Sequence, residues 1–182
     1  VGANRGEWGG GLRRVSLAGG AIEPIDDSDP DPENICGGLL NTGCAPVNGL
    51  IVDPARPECL LVSTGLVHFM PSGSIIRLCD GKISLAYAKP YTVELGWKFD
   101  PNAKMDRWSS VPFYSAAGNG SSAWFVSGDG FYEFGLGPEP AFTAFPRNYR
   151  LPTGGIDWSN PKFILILTEM NRRFSVSSGS LL

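Results

Sequence analysis

The residues with the clearest chemical potential form an acidic stretch that runs from Asp26 to Asn34. Within it, Asp27, Asp29 and Asp31 alternate along the chain, and calcium prefers several oxygen ligands supplied by one flexible loop. The spacing therefore indicates a calcium site. It departs from the EF-hand loop, since it lacks the glycine at the sharp turn and the closing bidentate glutamate. The alternative is a solvated acidic loop between strands, with its carboxylates in water and no cofactor bound.

A second group of residues suits ligand contact. Glu7 and Trp8 precede three glycines, Gly9–Gly11, which let a ligand approach the backbone while the indole offers a stacking face. The same glycines also suit a bulge that wedges Trp8 between packed sheets. Trp97 and Trp108 flank a long insertion, and long insertions in repeat folds tend to carry partner contacts. We expect Glu7, Trp8, Trp97 and Trp108 to bind a ligand.

Catalysis by carboxylates is an alternative function. Glu7, Asp53, Asp80 and Asp129 fall in predicted turns. A hydrolase or lyase acting on a carbohydrate or lactone would gather two of them as a general acid–base pair. His68 is the one histidine of the chain, and the sequence pairs it with no nucleophile and no orienting acid. We interpret it as a turn or rim residue.

The elements that must position these side chains are short strands. The chain has 182 residues, of which 24 are Gly and 15 are Pro, and both residue types penalise helix interiors. Short apolar runs recur between turn residues, which predicts an all-β domain spanning 1–182. The predicted strands are Leu12–Leu17, Ala21–Ile25, Val47–Val52, Cys59–Gly65, Ser74–Cys79, Ile83–Ala88, Pro112–Ala117, Ala123–Ser127, Phe131–Phe134, Ala141–Phe145, Gly155–Trp158, Phe163–Thr168 and Phe174–Ser177.

A weak internal repeat organises these strands. Three stretches share one order, in which an apolar strand, a tight turn and a second apolar strand are followed by a hairpin; they begin at Val47, Phe113 and Gly155. That order is typical of a four-stranded propeller blade. The prediction is about three and a half such blades, which either close as a small four-bladed ring or form part of a larger propeller completed by another chain. A β-sandwich or jelly roll is the alternative fold, because it tolerates the same strand count.

One stretch carries a family resemblance. Residues Ser122–Phe134 resemble the repeat of sensor-type β-propellers. Their sequence is Ser-Ala-Trp-Phe-Val-Ser-Gly-Asp-Gly-Phe-Tyr-Glu-Phe. In that repeat an apolar strand containing Trp, a glycine turn and an aromatic-rich strand follow one another. Trp8–Val15 is similar to the corresponding turn and third strand. The resemblance implies a binding or scaffolding module, although the family also contains hydrolases and lyases. It carries no catalytic residues over to this chain.

The four cysteines suit two local disulfides. Cys36 and Cys44 bracket a glycine-rich turn, while Cys59 and Cys79 flank a predicted hairpin and would face each other across it. Paired cysteines predict an extracytoplasmic or secreted protein. The alternative is four buried free thiols.

The charge and apolar runs of the chain limit the kinds of partner that it is expected to bind. The net charge is −3 and the basic residues are scattered, so the sequence predicts no nucleic-acid partner. The apolar runs are too short to span a bilayer as helices, so no membrane partner is expected.

An unfinished set of blades would expose strand edges, which proteins avoid. We therefore expect a non-catalytic binding and assembly module completed by another chain or a second copy. A structural fragment of a larger protein is a further alternative.

Overall fold

The computed structural model describes residues 1–31, 33–67, 71–90 and 110–145, together with the backbone of three strands further on. The described elements are one 3₁₀ turn and thirteen strands. They are the 3₁₀ turn Gly6–Trp8, β1 (Leu12–Val15), β2 (Ile22–Ile25), β3 (Val47–Asp53), β4 (Arg56–Val67), β5 (Pro71–Cys79), β6 (Lys82–Tyr87), β7 (Phe113–Gly118), β8 (Ala123–Ser127), β9 (Gly130–Phe134), β10 (Ala141–Ala144), β11 (Gly154–Asp157), β12 (Ile164–Met170) and β13 (Arg173–Gly179).

The strands form four antiparallel sheets, and each strand pairs with its neighbour in sequence. Strands β1 and β2 form a hairpin, β3–β6 and β7–β10 each form a four-stranded sheet, and β11–β13 form a three-stranded sheet. This confirms the all-β prediction, and the arrangement of the described strands fits blade-like or sandwich-like units. Across the described residues, no helix has the length and apolarity needed to cross a membrane.

Neighbouring sheets stack through their first strands. Asn48 at the start of β3 donates to the main-chain oxygen of Phe113 at the start of β7, and the side chain of Ile51 lies beside Gly118 at the end of β7. Residue numbers therefore increase in the same direction along β3 and β7, so these two strands run parallel to each other in adjacent sheets. Strand β11 in turn lies against β7 and β8. The sheets thus follow one another as a stack.

The β3–β6 sheet packs against one hydrophobic core on each face, because side chains alternate along its strands. Leu61 faces the β7–β10 sheet and packs in a core with Phe113 and Phe125. Val62, the next residue, faces the opposite way and packs in a second core with Leu12 of the β1–β2 hairpin. Each such fully buried side chain contributes about 1.5–3 kcal/mol of transfer free energy.

Two paired glycines let the β7 segment approach the β3–β6 sheet closely. Gly65 on β4 lies opposite Gly73 on β5. A Cβ atom at Gly65 would lie 2.5 Å from the backbone of Phe113, and one at Gly73 would lie 2.6 Å from Cα of Pro112. Such distances exclude any side chain at either position unless the backbone moves.

Both predicted disulfides are present. Cys36 bonds to Cys44, and Cys59 bonds to Cys79 across the β4–β5 hairpin. The described residues contain no free cysteine, so the alternative of four buried thiols is wrong. Structural disulfides form in oxidising compartments outside the cytoplasm, and this confirms the extracytoplasmic prediction.

Candidate ligand-binding cleft

The loop between β2 and β3 is fixed by carboxylates that accept hydrogen bonds from backbone amides. Asp27 accepts from the N–H of Leu39 at 2.9 Å and of Leu40 at 2.6 Å. Asp26 accepts from the N–H of Thr42 at 3.0 Å. These bonds hold the turn that the Cys36–Cys44 disulfide closes, called the disulfide-closed turn below, against residues 26 and 27. The side chain of Leu40, which lies in this turn, is fully buried.

The predicted calcium ligands perform this same role. Asp29 accepts from the N–H of Asp31 at 3.0 Å and from the side-chain amide of Asn34 at 3.0 Å. Asp31 accepts from the N–H of Glu33 at 2.9 Å. No group of three His, Cys, Asp or Glu side chains that could hold a metal occurs among the residues described. The calcium interpretation stays a prediction, and the loop's hydrogen bonds do not favour it.

Two of these loop carboxyls have altered acidity. Burial alone would raise the pKa of Asp26, but hydrogen bonds from Ser28 and Thr42 outweigh it and lower the pKa below its usual value. The pKa of Asp29 is also lowered, first by the hydrogen bond from the Asp31 amide and then by the one from Asn34. Both shifts favour the ionised form that holds the loop together.

A cleft of about 400 Å³ lies between this loop and strands β4, β5 and β6 of the β3–β6 sheet. One wall is the disulfide-closed turn, the floor is the β4–β5 hairpin, and the far side is the end of β6. The lining residues are Asp27, Cys36, Gly38, Leu39, Cys44, Ala45, Pro46, Thr64, Gly65, Ser72, Gly73, Ser74, Leu85, Ala88 and Ser110.

The floor of the cleft carries three neutral hydroxyls, those of Thr64, Ser74 and Ser110. The hydroxyls of Thr64 and Ser74 lie 3.1 Å apart, within hydrogen-bond distance across β4 and β5. The Ser110 hydroxyl donates to the main-chain oxygen of Gly73 at 2.7 Å and accepts from its N–H at 2.9 Å. In the described lining, Asp27 is the one ionisable group, and its oxygens already accept backbone hydrogen bonds. This set of groups suits hydrogen bonding and apolar contact with a neutral ligand rather than activation of a nucleophile.

Sequence reasoning missed this cleft. Thr64, Ser74 and Ser110 come together only because β4 pairs with β5 and residues 37 positions apart then hydrogen-bond. The sequence does contain one signal for the cleft, the glycines Gly65 and Gly73 within predicted strand regions. Glycine inside a strand often marks a place where another backbone or a ligand approaches closely.

The predicted ligand-binding residues lie elsewhere or outside the described residues. Glu7 and Trp8 occupy the 3₁₀ turn, and Trp8 is 78% exposed. Its ring is therefore not wedged between sheets and presents a face to solvent. Trp97, Trp108 and His68 lie outside the described residues. The segment that carries the first two leaves at Pro90 and returns at Ser110, and these two residues form a β-bridge beside the cleft.

Three carboxylates of the enzyme hypothesis, Asp53, Asp80 and Asp129, lie at opposite ends of the stack. Asp53 is the last residue of β3 and Asp80 follows β5, at the end where β3 and β7 finish. Asp129 precedes β9, at the end where β3 and β7 begin. Asp53 is 1% exposed and lies 2.6 Å from the guanidinium of Arg77. Asp129 cannot meet these acids as an acid–base pair.

Asp129 instead joins two sheets. Its carboxylate lies 2.6 Å from the ammonium of Lys89, which follows β6, and accepts hydrogen bonds from Ser127 at 2.7 Å and from Tyr132 at 3.1 Å. Burial raises the pKa of Tyr132 strongly, and the nearby Asp129 and Tyr87 add to the rise. The phenol therefore stays protonated and acts as a hydrogen-bond donor. This junction was predicted only as a turn.

Comparison with known proteins gives a likeness of fold. No family model matches the chain, and no curated protein matches it by sequence. Among solved structures, the chain is similar to one described as the extracellular domain of a hybrid two-component system from B. thetaiotaomicron, with a TM-score of 0.52 and 16% sequence identity. The match covers 94% of this chain and 19% of that chain, so this chain spans about a fifth of its length.

Proposed function

We propose that the chain is a non-catalytic binding module of propeller type that works outside the cytoplasm. It holds a small neutral ligand in the cleft and associates with another chain or a second copy. The observation that carries this proposal is the cleft itself, with its floor of hydroxyls and its wall closed by a disulfide. Ligand sites are concave, largely apolar and supplied with a few placed polar groups, and this cleft has that composition.

The fold supports the same proposal. Successive antiparallel sheets stack through β3, β7 and β11 in the manner expected of propeller blades. The similar solved structure is described as an extracellular domain of a hybrid two-component system. A sensor of that kind needs an outer module that binds without consuming its ligand. Two disulfides in this chain agree with such a setting.

The proposal is tested by a ligand screen with a blocked cleft as the comparison. The purified chain is screened by thermal unfolding against neutral monosaccharides, disaccharides, amino acids and dipeptides. A ligand present at about 100 times its Kd stabilises the folded state by about 2.7 kcal/mol. A hit should lose its effect in Ser74→Phe and Ala88→Trp, which fill the cleft.

The matched control is Leu136→Ala, a residue that is 82% exposed in the β9–β10 loop and should leave binding intact. Stabilisation that persists unchanged in both filled variants would place the ligand elsewhere and overturn the cleft assignment. Turnover of any of these compounds by the pure chain would contradict a non-catalytic role.

A further inference from the structure

Two Asn-Gly pairs occur in the sequence, Asn48-Gly49 and Asn119-Gly120. An asparagine followed by glycine can react with its own backbone, because glycine has no side chain to shield the main-chain nitrogen that follows the asparagine. The fold places the two pairs in opposite environments. The first pair lies inside β3, whereas the second lies in the exposed turn between β7 and β8.

The turn leaves the nitrogen of Gly120 open to react. In the described part of the chain, the Gly120 N–H donates to no acceptor. Gly120 has a φ of 89°, and a Cβ atom at this position would meet nothing within 4 Å. The space around Gly120 therefore lets its nitrogen turn toward the neighbouring side chain of Asn119.

The side-chain carbonyl of Asn119 is polarised by three donors. Its Oδ1 accepts from the N–H of Ser121 at 3.1 Å, from the hydroxyl of Ser121 at 3.0 Å and from the N–H of Ser122 at 3.0 Å. Negative charge develops on this oxygen when a nitrogen attacks Cγ. Donors that already point at such an oxygen lower the barrier to the attack.

Asn48 has the opposite arrangement. Its amide nitrogen, the group that would leave, donates to the main-chain oxygens of Gly65 and Phe113. A Cβ atom at Gly49 would lie 2.6 Å from Cβ of Ala116 and 2.8 Å from its main-chain nitrogen, so the backbone has no room to turn. Ring closure at Asn48 requires β3 to leave the sheet, and a core strand opens in only a small fraction of molecules at any time.

We propose that Asn119 is a site of self-modification, at which the main-chain nitrogen of Gly120 attacks the Asn119 side chain. A bond forms between that nitrogen and Cγ, the Cγ–Nδ2 bond breaks, and ammonia leaves with the proton that the nitrogen gave up. The product is a five-membered succinimide ring, which water then opens. Cleavage between the nitrogen and Cγ gives aspartate, and cleavage between the nitrogen and the main-chain carbonyl carbon gives isoaspartate.

The two products differ in their effect on the turn. Aspartate leaves the main chain unchanged, and its carboxylate accepts from the same donors more strongly than an amide oxygen does. Isoaspartate adds one carbon atom to the main chain within the turn that pairs Gly118 with Ala123, so it alters how the hairpin closes. Either product adds a negative charge to a chain whose net charge is −3. This inference does not depend on the cleft or on the proposed function.

The experiment follows both Asn-Gly pairs in one sample. The intact chain is incubated at neutral pH and body temperature and then digested in mild acid, which stops the reaction. Mass spectrometry measures a gain of about 1 Da in the peptides that contain residues 48 and 119, and chromatography against synthetic peptides separates isoaspartate from aspartate. Residue 119 is expected to convert at least about tenfold faster than residue 48, because only the latter needs local unfolding.

The same chain unfolded in urea is the internal reference. Without the fold, the two pairs should convert at rates within about twofold of each other. Incubation lasts until most of the unfolded sample has converted, so that the folded sample gives a definite result. A folded chain in which residue 119 stays asparagine overturns the proposal, as do equal rates at residues 48 and 119 in the folded chain.

Two variants at residue 119 identify the reaction. Asn119→Gln keeps the side-chain amide but lengthens the side chain by one CH₂ group, which disfavours ring closure, and should convert at least about tenfold more slowly. Asn119→Asp supplies the aspartate product and should coincide with one of the two species formed by the unmodified chain. A gain in mass at residue 119 that is as fast in Asn119→Gln would contradict attack by the Gly120 nitrogen.

Discussion

Asn48 and Phe113 join two sheets through one side chain. The Asn48 amide nitrogen donates to the Phe113 main-chain oxygen at 2.7 Å and to the Gly65 main-chain oxygen at 2.8 Å. Its own oxygen accepts a hydrogen bond from Asn4. A single asparagine thus links the first strands of both four-stranded sheets with the segment before β1. Where sheets meet at a shared edge, such fully used polar groups set the relative position of the sheets.

Asn48→Ala should destabilise the chain by about 1–3 kcal/mol, because it leaves two part-buried carbonyl oxygens without their donor. Urea unfolding is expected to show a lower midpoint with an unchanged slope. Asn48→Asp should be no better, since a carboxylate cannot donate to either oxygen. Ser84→Ala on β6 serves as the control with a small effect. A midpoint for Asn48→Ala equal to that of this control would mean that the bridge adds nothing.

The buried pair of Asp53 and Arg77 should show strong coupling. Asp53→Ala leaves the Arg77 guanidinium, 20% exposed, without its carboxylate, and breaking a buried pair from one side costs about 3–5 kcal/mol. The loss should be smaller for the double variant Asp53→Ala, Arg77→Met than the two single losses combined. A double-mutant cycle measured by urea unfolding gives the coupling energy. Additive losses would show that the two charges act independently.

The strands were predictable because their signals are local. Strand β8 matches its prediction residue for residue, Ala123–Ser127, since a short apolar run ends at turn residues on both sides. The Cys59–Cys79 bond was predictable for the same reason, because two strands joined by a short turn place their flanking residues opposite each other. Strand β4 is longer than predicted, Arg56–Val67 rather than Cys59–Gly65, because its pairing with β3 reaches back to Arg56 and its pairing with β5 continues to Val67.

The candidate site was not predictable because its contacts are distant in sequence. Asp27 resembles a metal ligand in sequence, yet in the fold it accepts amides from residues 12 and 13 positions away. Trp8 is open to either interpretation from sequence, and only the fold of the turn shows that it is exposed. No pattern in the sequence records that Ser110 reaches Gly73. Local patterns fix strands, whereas the cleft depends on how finished sheets and loops meet.

The two disulfides should contribute to different properties. Removing the Cys59–Cys79 bond by paired Cys→Ala substitutions should lower the free energy of unfolding by about 3 kcal/mol, because this bond joins residues 20 positions apart in the sequence. The Cys36–Cys44 bond joins residues only 8 positions apart and so closes a shorter loop, and its removal should cost less global stability. Because that turn walls the cleft, its loss should weaken binding of any ligand found by the screen. Thermal unfolding and the ligand-induced shift separate the two effects, and equal losses of both quantities in the two variants would contradict the division.

Acid should release the loop that Asp26 and Asp29 hold. Both carboxyls have a pKa below the usual value in the folded chain, so each contributes stability that is fully present above the unfolded pKa of about 3.9. That contribution is lost as pH falls through the lower folded pKa. Hydrogen exchange of the Thr42 amide, which donates to Asp26, should therefore lose protection below about pH 4. Asp26→Asn should start with weaker protection at neutral pH and show a flatter pH profile. Glu139→Gln, in the exposed loop before β10, should keep the profile of the unmodified chain. An amide whose protection follows the same pH course in Asp26→Asn as in the unmodified chain would show that the Asp26 carboxylate does not hold the turn.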